Sequence, residues 1–359
     1  MSKSQEKILI LGAGKIGVAV AEMLHETDDF DVQIADADEQ VFSSGHHDNL
    51  NPLVLDVTDQ SALRSALKDR DGVVSTLPYY LDLPVAEAAA EVGVNYFDPT
   101  EDVHTARKIR QLANGASSVF IPQCGLAPGF IAIVANHLVK HYEEPLDVKM
   151  RVGALPQYPD NALKYNLTWS LDGLINEYCN SCEVIHEGER REVLPLESLE
   201  EFSLDGVRYE AFSTSGGIGS LCETLDGHVQ NLNYKTVRYP GHRDMIKLLA
   251  NDLNLCARRD VFKDVIGSGV PLTEQDVVII FVTVRGLKEG NLHQESYAKK
   301  IYGMADGGKW SAIQLTTATA ICAVVDLHRE GKVPATGFVM QEDISFDDFI
   351  SNRFGKVYA

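Results

Sequence analysis

The run KILILGAGKIG at residues 7–17 constrains this chain more than any other stretch. Aliphatic residues lead into Gly12-Ala13-Gly14-Lys15-Ile16-Gly17, and apolar residues then recur at helical spacing from Ile16 to His25. That reads as a buried strand, a tight turn and a helix, the setting in which a GxGxxG pattern carries meaning. Gly12 permits the turn, Gly14 lets a pyrophosphate approach the backbone at the helix N-terminus, and Gly17 allows helix and strand to pack closely. Lys15 and Ile16 complete the loop. Asp36 ends the next strand, VQIAD, nineteen positions after Gly17. A carboxylate there binds ribose hydroxyls. With Asp38 and Glu39 nearby and no arginine to receive a 2′-phosphate, the expected cofactor is NAD rather than NADP.

The pattern that follows is that of parallel α/β units. Strand candidates KILILG, VQIAD, NPLVLDV, GVVSTL, VNYFD and SVFIPQ alternate with helical stretches at Ile16–His25, Gln60–Lys68, Leu83–Val92 and Val103–Ala113. The fold class is therefore α/β: a Rossmann doubly wound parallel sheet. After Gly129 the pattern changes to a helix, FIAIVANHLVKHY, then to long strands such as DVKMRVGAL and DVVIIFVTVRGL. These suggest a second, α+β domain with a mixed sheet. A length of 359 residues fits two domains. The expected division is 1–128 with 317–359 for the NAD-binding domain and 129–316 for a substrate-binding and dimerisation domain.

Charge and composition exclude several partners. The net charge of -20 repels a phosphate backbone, so neither nucleic acid nor an anionic membrane surface is expected to bind. No apolar window is long enough to span a bilayer, and the polar start MSKSQEK lacks a secretory h-region, so the expected location is cytoplasmic. Six cysteines in such a setting are expected to be reduced. Cys179 and Cys182 form a CxxC with His186 following, but a structural zinc site wants four ligands and no second pair follows; buried thiols are the plainer reading, and no metal is expected.

Several other residues can carry chemistry. Asp56-Val57 closes the third strand and either grips adenine or caps the next helix. Ser75-Thr76-Leu77 ends the fourth strand, at the carboxyl edge where open sheets bind ligands. His242 is either a general base or a structural histidine at a helix start. The loop Thr214-Ser215-Gly216-Gly217 either holds a carboxylate or is a plain turn.

Longer blocks add a resemblance. STLPYY at 75–80, YFDPTED at 96–102, CGLAPGF at 124–130, YNLTWSLDGLINEY at 165–178 and KTVRYPGH at 235–242 resemble the saccharopine dehydrogenase-like enzymes. The resemblance implies a Rossmann domain joined to a mixed substrate domain, as a homodimer, acting on an amine of a small amino acid. Saccharopine reductases of that family typically carry Asp in an LDPG block and bind NADP, whereas this chain has Leu126-Ala127-Pro128-Gly129 and Asp36. It is more similar to the L-lysine 6-dehydrogenase branch, departing from it at Leu171, where proline is common.

Carried over by motif, the resemblance implies Leu126 and Pro128 near the nicotinamide, with Tyr79, Asp98 and Thr100 around the reacting amine. It places Trp169 and Ser170 as substrate walls, and Lys235, Thr236 and Arg238 at the α-carboxylate. Without it, a tryptophan is more often core and a lone Lys or Arg a solvated face. His242 and Asp98 are the candidate catalytic residues. The expected reaction is NAD-dependent oxidative deamination of L-lysine at its terminal amine; the alternatives are saccharopine- or carboxynorspermidine-type reductive condensation, and a non-catalytic dinucleotide-binding protein.

Overall fold

A computed structural model describes residues 5–43, 48–303 and 308–359. The chain divides into two compact units, residues 1–130 with 316–359, and residues 131–315.

In the first unit, β1 (Glu6–Leu11), β2 (Phe30–Asp36), β3 (Leu53–Val54), β4 (Gly72–Ser75), β5 (Asn95–Phe97) and β6 (Val119–Ile121) form a parallel sheet. Its order is β6-β5-β4-β1-β2-β3, extended by a seventh strand, Gly337–Phe338, which pairs in parallel with β6. The reversal of strand order beside β1 is the topological switch at which doubly wound sheets bind ligands. Leu9, Leu11, Val73, Tyr96 and Phe120 from the strands are buried with Leu63, Leu67, Val85 and Ile109 from the helices, the near-continuous apolar strands of a two-sided parallel sheet.

The C-terminal segment is tied down by charge and by rings. The buried Asp326 carboxylate accepts from Arg353, Arg329 and the Asn352 amide, and Tyr358 stacks on Phe130 at 4.0 Å.

The second unit holds a mixed sheet. β7 (Glu144–Pro156), β10 (Glu200–Leu204), β11 (Val207–Ser213), β12 (Asn231–Arg238), β13 (Asp276–Lys288) and β14 (Asn291–Tyr302) run in the order β10-β11-β12-β7-β13-β14. A hairpin of β8 (Cys182–His186) and β9 (Glu189–Val193) joins it at β12. The β12–β7 pair is parallel and its other neighbours are antiparallel. Side chains alternate across β12, so successive residues face opposite cores. Val237 packs with Leu155, Tyr209 and Ile279 on one face. On the other, Phe212 packs with Tyr165, Tyr178 and Phe262 under helices Leu171–Cys179 and Arg259–Gly269.

The cysteines depart from the sequence reading. All six were expected to be reduced, but Cys179 forms a disulfide with Cys256, seventy-seven residues on. Both cysteines flank one apolar cluster, which brings the helix end and the Leu255–Ala257 turn together. Cys182 is a buried free thiol whose pKa burial pushes up to about 12, and His186 meets the Asn231 side chain at 3.2 Å. Among the described residues no cluster of three or more metal-binding side chains occurs, and no helix is long and apolar enough to cross a membrane.

Candidate active site

The glycine loop is built as its sequence requires. Gly12 sits at φ +97°, where side chains are strained, and a Cβ on Gly17 would lie 1.8 Å from the Gly12 carbonyl oxygen. The Thr76 hydroxyl donates to the carbonyls of Leu11 and Gly12 at 2.9 and 3.2 Å, locking the turn against the end of β4. Gly14 differs from its neighbours: it is exposed, its φ of -75° suits any residue, and a Cβ there meets no protein atom within 4 Å. Nothing among the described residues demands glycine at 14. Lys15 opens the helix and is exposed beside Ile16.

Asp36 reaches the same loop. One carboxylate oxygen accepts from the Ala13 N–H at 2.8 Å, the other from the Asp38 N–H at 3.0 Å. Its negative charge is thereby fixed beside the turn. A dinucleotide fits this cradle: an open backbone approach at Gly14, a helix N-terminus, and a fixed carboxylate one strand away. Asp56 is turned to local work, accepting from the Thr58 N–H and hydroxyl at 2.9 and 2.7 Å, while Val57 is buried in the core. The helix cap is Asp59, which accepts from Ser61 and Ala62. Ser75 is buried with its hydroxyl on Asp82, and Leu77 packs at the margin of the core.

At the carboxyl ends of β4, β5 and β6 the first unit gathers buried acids. Asp98 is 0% exposed. Its Oδ1 accepts from the N–H of Thr100 at 2.7 Å and of Gln123 at 3.2 Å, whereas Oδ2 has no partner of full hydrogen-bond geometry among the described residues, with the Tyr96 hydroxyl beside the carboxyl. Gln123 adopts φ 62° to make its contact, a conformation costly for a side-chain-bearing residue. Burial pushes the Asp98 pKa up to about 6 against the pull of these hydrogen bonds.

Asp82, 2% exposed, takes the Ser75 hydroxyl at 2.6 Å; burial and then the charge of Asp98 hold it well above the usual carboxylate range. The Tyr96 hydroxyl lies beside both, its hydrogen bond going to the Asp82 carbonyl at 3.4 Å. Two buried carboxyls pushed upward together are a candidate acid–base pair. Next to them Cys124 donates to the Asp98 carbonyl, and the turn that follows buries Leu126 and Pro128. Gly129 closes that turn at φ +135°, with no room for a Cβ against Gly125. Tyr79 is half-buried in the turn after β4, its ring edge-on to Tyr80 at 5.7 Å.

The second unit holds a buried polar network, which bears on the two roles open to His242 and corrects the grouping of Lys235 with Thr236 and Arg238. His242 is 0% exposed. Its Nδ1 donates to the Leu163 carbonyl at 2.9 Å and its Nε2 accepts the Tyr178 hydroxyl at 3.0 Å, which fixes one neutral tautomer. Burial, then the charge of Arg238, holds its pKa down to about 3. With both nitrogens engaged it is a structural histidine rather than a base.

The correction separates Lys235 from Thr236 and Arg238. Lys235 lies on the opposite face of β12, its ammonium on the Ser198 carbonyl at 2.6 Å and on Glu200 at 2.9 Å, beside the Arg151–Glu200 ion pair. Although burial works against it, Arg151 and Lys235 hold Glu200 down to about 2.

Thr236 and Arg238 do share a face. Arg238 donates to the Tyr178 hydroxyl at 3.2 Å and approaches Glu177 at 3.4 Å, while Thr236 meets Thr214 at 2.7 Å. The Thr214–Gly217 loop spends its hydroxyls internally, Ser215 donating to the Asn176 carbonyl. Ser170 is the exposed N-cap of helix Leu171–Cys179, accepting from the Gly173 N–H, and Trp169 packs on the core margin. The motif reading passed over Asp82, Gln123, Tyr165, Glu177 and Tyr178. Glu177 and Tyr178 stand inside the LINEY stretch at 174–178, and Asp82 stands two residues after STLPYY.

Family models span nearly the whole chain: the saccharopine dehydrogenase NADP binding domain matches residues 8–120, and the saccharopine dehydrogenase C-terminal domain matches residues 125–356. The chain belongs to the saccharopine dehydrogenase family. Within it, the mitochondrial alpha-aminoadipic semialdehyde synthase of Bos taurus is 24% identical over 329 residues, 84% of this chain and 34% of that protein. The saccharopine dehydrogenase [NADP(+), L-glutamate-forming] of Saccharomyces cerevisiae is 26% identical over 202 residues, 51% of this chain and 43% of that protein. The chain thus spans about a third to a half of these curated relatives. In fold it is similar to the apo saccharopine dehydrogenase (L-Glu forming) from Saccharomyces cerevisiae, with a TM-score of 0.80 at 17% identity, covering 96% of this chain and 97% of that one. The family is one of oxidoreductases of amino-acid metabolism that hold a nicotinamide cofactor on a Rossmann unit.

Proposed function

We propose that this chain is an NAD-dependent dehydrogenase that oxidises the terminal amine of L-lysine or a closely similar amino acid, working as a cytoplasmic homodimer. The observation that carries the cofactor choice is the Asp36 carboxylate, held on the glycine loop by the Ala13 N–H at 2.8 Å. A 2′-phosphate beside it would face Asp36, Asp38 and Glu39. Bound NAD would supply the two-electron acceptor for the carbon bearing the amine.

Asp98 is the candidate base. Its buried Oδ2 takes a proton from the substrate ammonium, leaving a neutral amine whose C–H bond can then break. Loss of hydride from that neutral amine leaves an iminium ion, which water hydrolyses to a semialdehyde and ammonium. The Thr100 and Gln123 N–H groups fix the Asp98 carboxyl through Oδ1. Mixing the purified protein with NAD and a panel of amino acids, and following NADH absorbance, tests the reading. Lysine should give signal, and a flat trace with lysine and its analogues refutes the assignment.

A second reading draws on the names of the curated relatives, which favour saccharopine-type chemistry with NADP. Oxidation of saccharopine with NADP, or reductive condensation of glutamate with an aldehyde using NADPH, separates the two.

A further inference from the structure

Asp82 opens the helix Asp82–Val92 that follows β4, and Asp98 follows the neighbouring strand β5 directly. Both are buried, and among the described residues neither forms an ion pair with a lysine, arginine or histidine. Two residues tie them together. Thr100 donates its N–H to Asp98 Oδ1 at 2.7 Å, while its hydroxyl lies beside the Asp82 carboxyl. The Tyr96 hydroxyl reaches the Asp82 carbonyl at 3.4 Å and lies beside the Asp98 carboxyl. The other groups facing the pair are the Ser75 hydroxyl, the Cys124 thiol and Glu101, whose charge bears on Asp82. All of these are neutral or acidic. Two neighbouring carboxylates without a counter-ion are too costly to bury together, so the pair carries one negative charge at neutral pH.

The donors decide which carboxyl carries that charge. Asp98 accepts from two backbone N–H groups, Thr100 and Gln123, which are fixed donors and favour its ionised form. Asp82 receives the Ser75 hydroxyl at 2.6 Å, a rotatable group that serves a neutral acid as well. No N–H of the helix that Asp82 opens donates to its carboxyl among the described residues. We infer that Asp82 is a positioning residue, one that retains the single proton of the pair and leaves Asp98 as its lone carboxylate. This rests on the reading of Asp98 as the base. Burial raises both groups, Asp98 only to about 6 and Asp82, which also feels the charge of Asp98, well above the usual carboxylate range. When Asp98 takes the substrate's proton, the pair passes from one negative charge to none and never has to hold two. An ionised Asp82 would push Asp98 further up and leave it protonated at neutral pH, where it could not act as a base.

Infrared spectroscopy tests this, because a protonated carboxyl and a carboxylate absorb apart. From about pH 5 to about pH 8 the wild type should lose one protonated-carboxyl band, that of Asp98, and keep another, that of Asp82. Asp82→Asn should lack the kept band. Asp98→Asn should lack the titrating band and retain the kept one at neutral pH, which serves where Asp82→Asn does not fold. Asparagine is neutral like protonated Asp82, so the acidic limb of kcat/KM for lysine should keep its midpoint within about 0.5 pH unit in Asp82→Asn.

Loss of both bands by about pH 8, or a midpoint lower by about one unit or more in Asp82→Asn, would mean that Asp82 is ionised in the wild type, and the inference falls. It falls equally if the kept band survives Asp82→Asn or vanishes with Asp98→Asn, since the proton then sits elsewhere. The bands are read without substrate. Bands as expected with no NADH formed from lysine overturn the proposed reaction instead and leave the assignment of the proton standing.

Discussion

The glycine loop offers a test in which two alanines, three residues apart, should do opposite things. At Gly17 a new Cβ would sit 1.8 Å from the Gly12 carbonyl oxygen and 2.6 Å from the Thr76 hydroxyl. Ordinary contact begins near 3.4 Å, so the helix start would have to move by about 1.5 Å against a turn locked to β4. Overpacking of that size costs about 3 kcal/mol or more, which lowers the melting temperature of a unit this size by about 6–12 °C. At Gly14 the new methyl meets nothing, the backbone is already in an extended conformation open to alanine, and stability should change by less than about 1 kcal/mol. Cofactor affinity is where Gly14→Ala should act: a methyl between the helix N-terminus and a pyrophosphate should raise the NADH dissociation constant at least about tenfold, or 1.4 kcal/mol. Thermal melting without cofactor, followed by NADH fluorescence titration, reads both. Were Gly14→Ala to bind NADH as tightly as the wild type, the loop would not cradle the pyrophosphate; were Gly17→Ala to melt unchanged, the packing argument would be wrong.

Other perturbations separate function from stability. Asp36→Ser should shift preference from NAD toward NADP by at least about tenfold in the ratio of kcat/KM values, because it removes the fixed charge facing a 2′-phosphate; an unmoved ratio counts against the assignment. With Asp98 as base at a pKa of about 6, kcat/KM should fall about tenfold per pH unit below 6 and level off above it. The same shift has a stability sign. A carboxylate raised in the folded state from 3.8 to about 6 contributes stability that is full below about pH 4 and lost as pH rises through 6, about 3 kcal/mol in all. Asp98→Asn should therefore melt higher than wild type at pH 8 while losing activity, and an equally stable, active variant would remove Asp98 from the mechanism. Cys256→Ser opens a disulfide spanning seventy-seven residues, which chain entropy values at about 4.5 kcal/mol at most. Reductant should lower the wild-type melting temperature and leave the variant unmoved, and thiol counting by mass spectrometry checks the bond directly.

What the sequence could say divides by the range of the interaction. The strand–turn–helix at 7–25 is local, so periodicity and glycine spacing sufficed, and the observed helix Lys15–His25 begins one residue earlier than predicted. The Asp98 turn is half-local: Asp-Pro-Thr announces a side chain accepting from the N–H two residues on, which it does at 2.7 Å. The second donor, Gln123, comes from a strand end twenty-five residues away in a left-handed conformation that no local pattern marks. The choice between the two roles open to His242 was beyond reach for the same reason. Its two partners lie at Leu163 and Tyr178, and only the folded chain closes them on the ring. The disulfide likewise needed the Leu171–Cys179 helix and the 255–257 turn to meet over a common core.

The separation of Lys235 from Arg238 is a different kind of miss, because its cause is written in the sequence. KTVR was read as a cluster of cations and a hydroxyl converging on one carboxylate. A strand has a period of two, so positions 235 and 237 must face away from 236 and 238. Once Asn231–Arg238 is a strand with cores on both faces, one cation goes to each side: Lys235 to Glu200 and Arg151, Arg238 to Glu177 and Tyr178. Clustering in sequence is evidence of a shared site only after the local period has been applied. Applied here, it leaves Thr236 and Arg238 on the face that carries Glu177, Tyr178 and Tyr165, and makes Lys235 a brace for the sheet behind them.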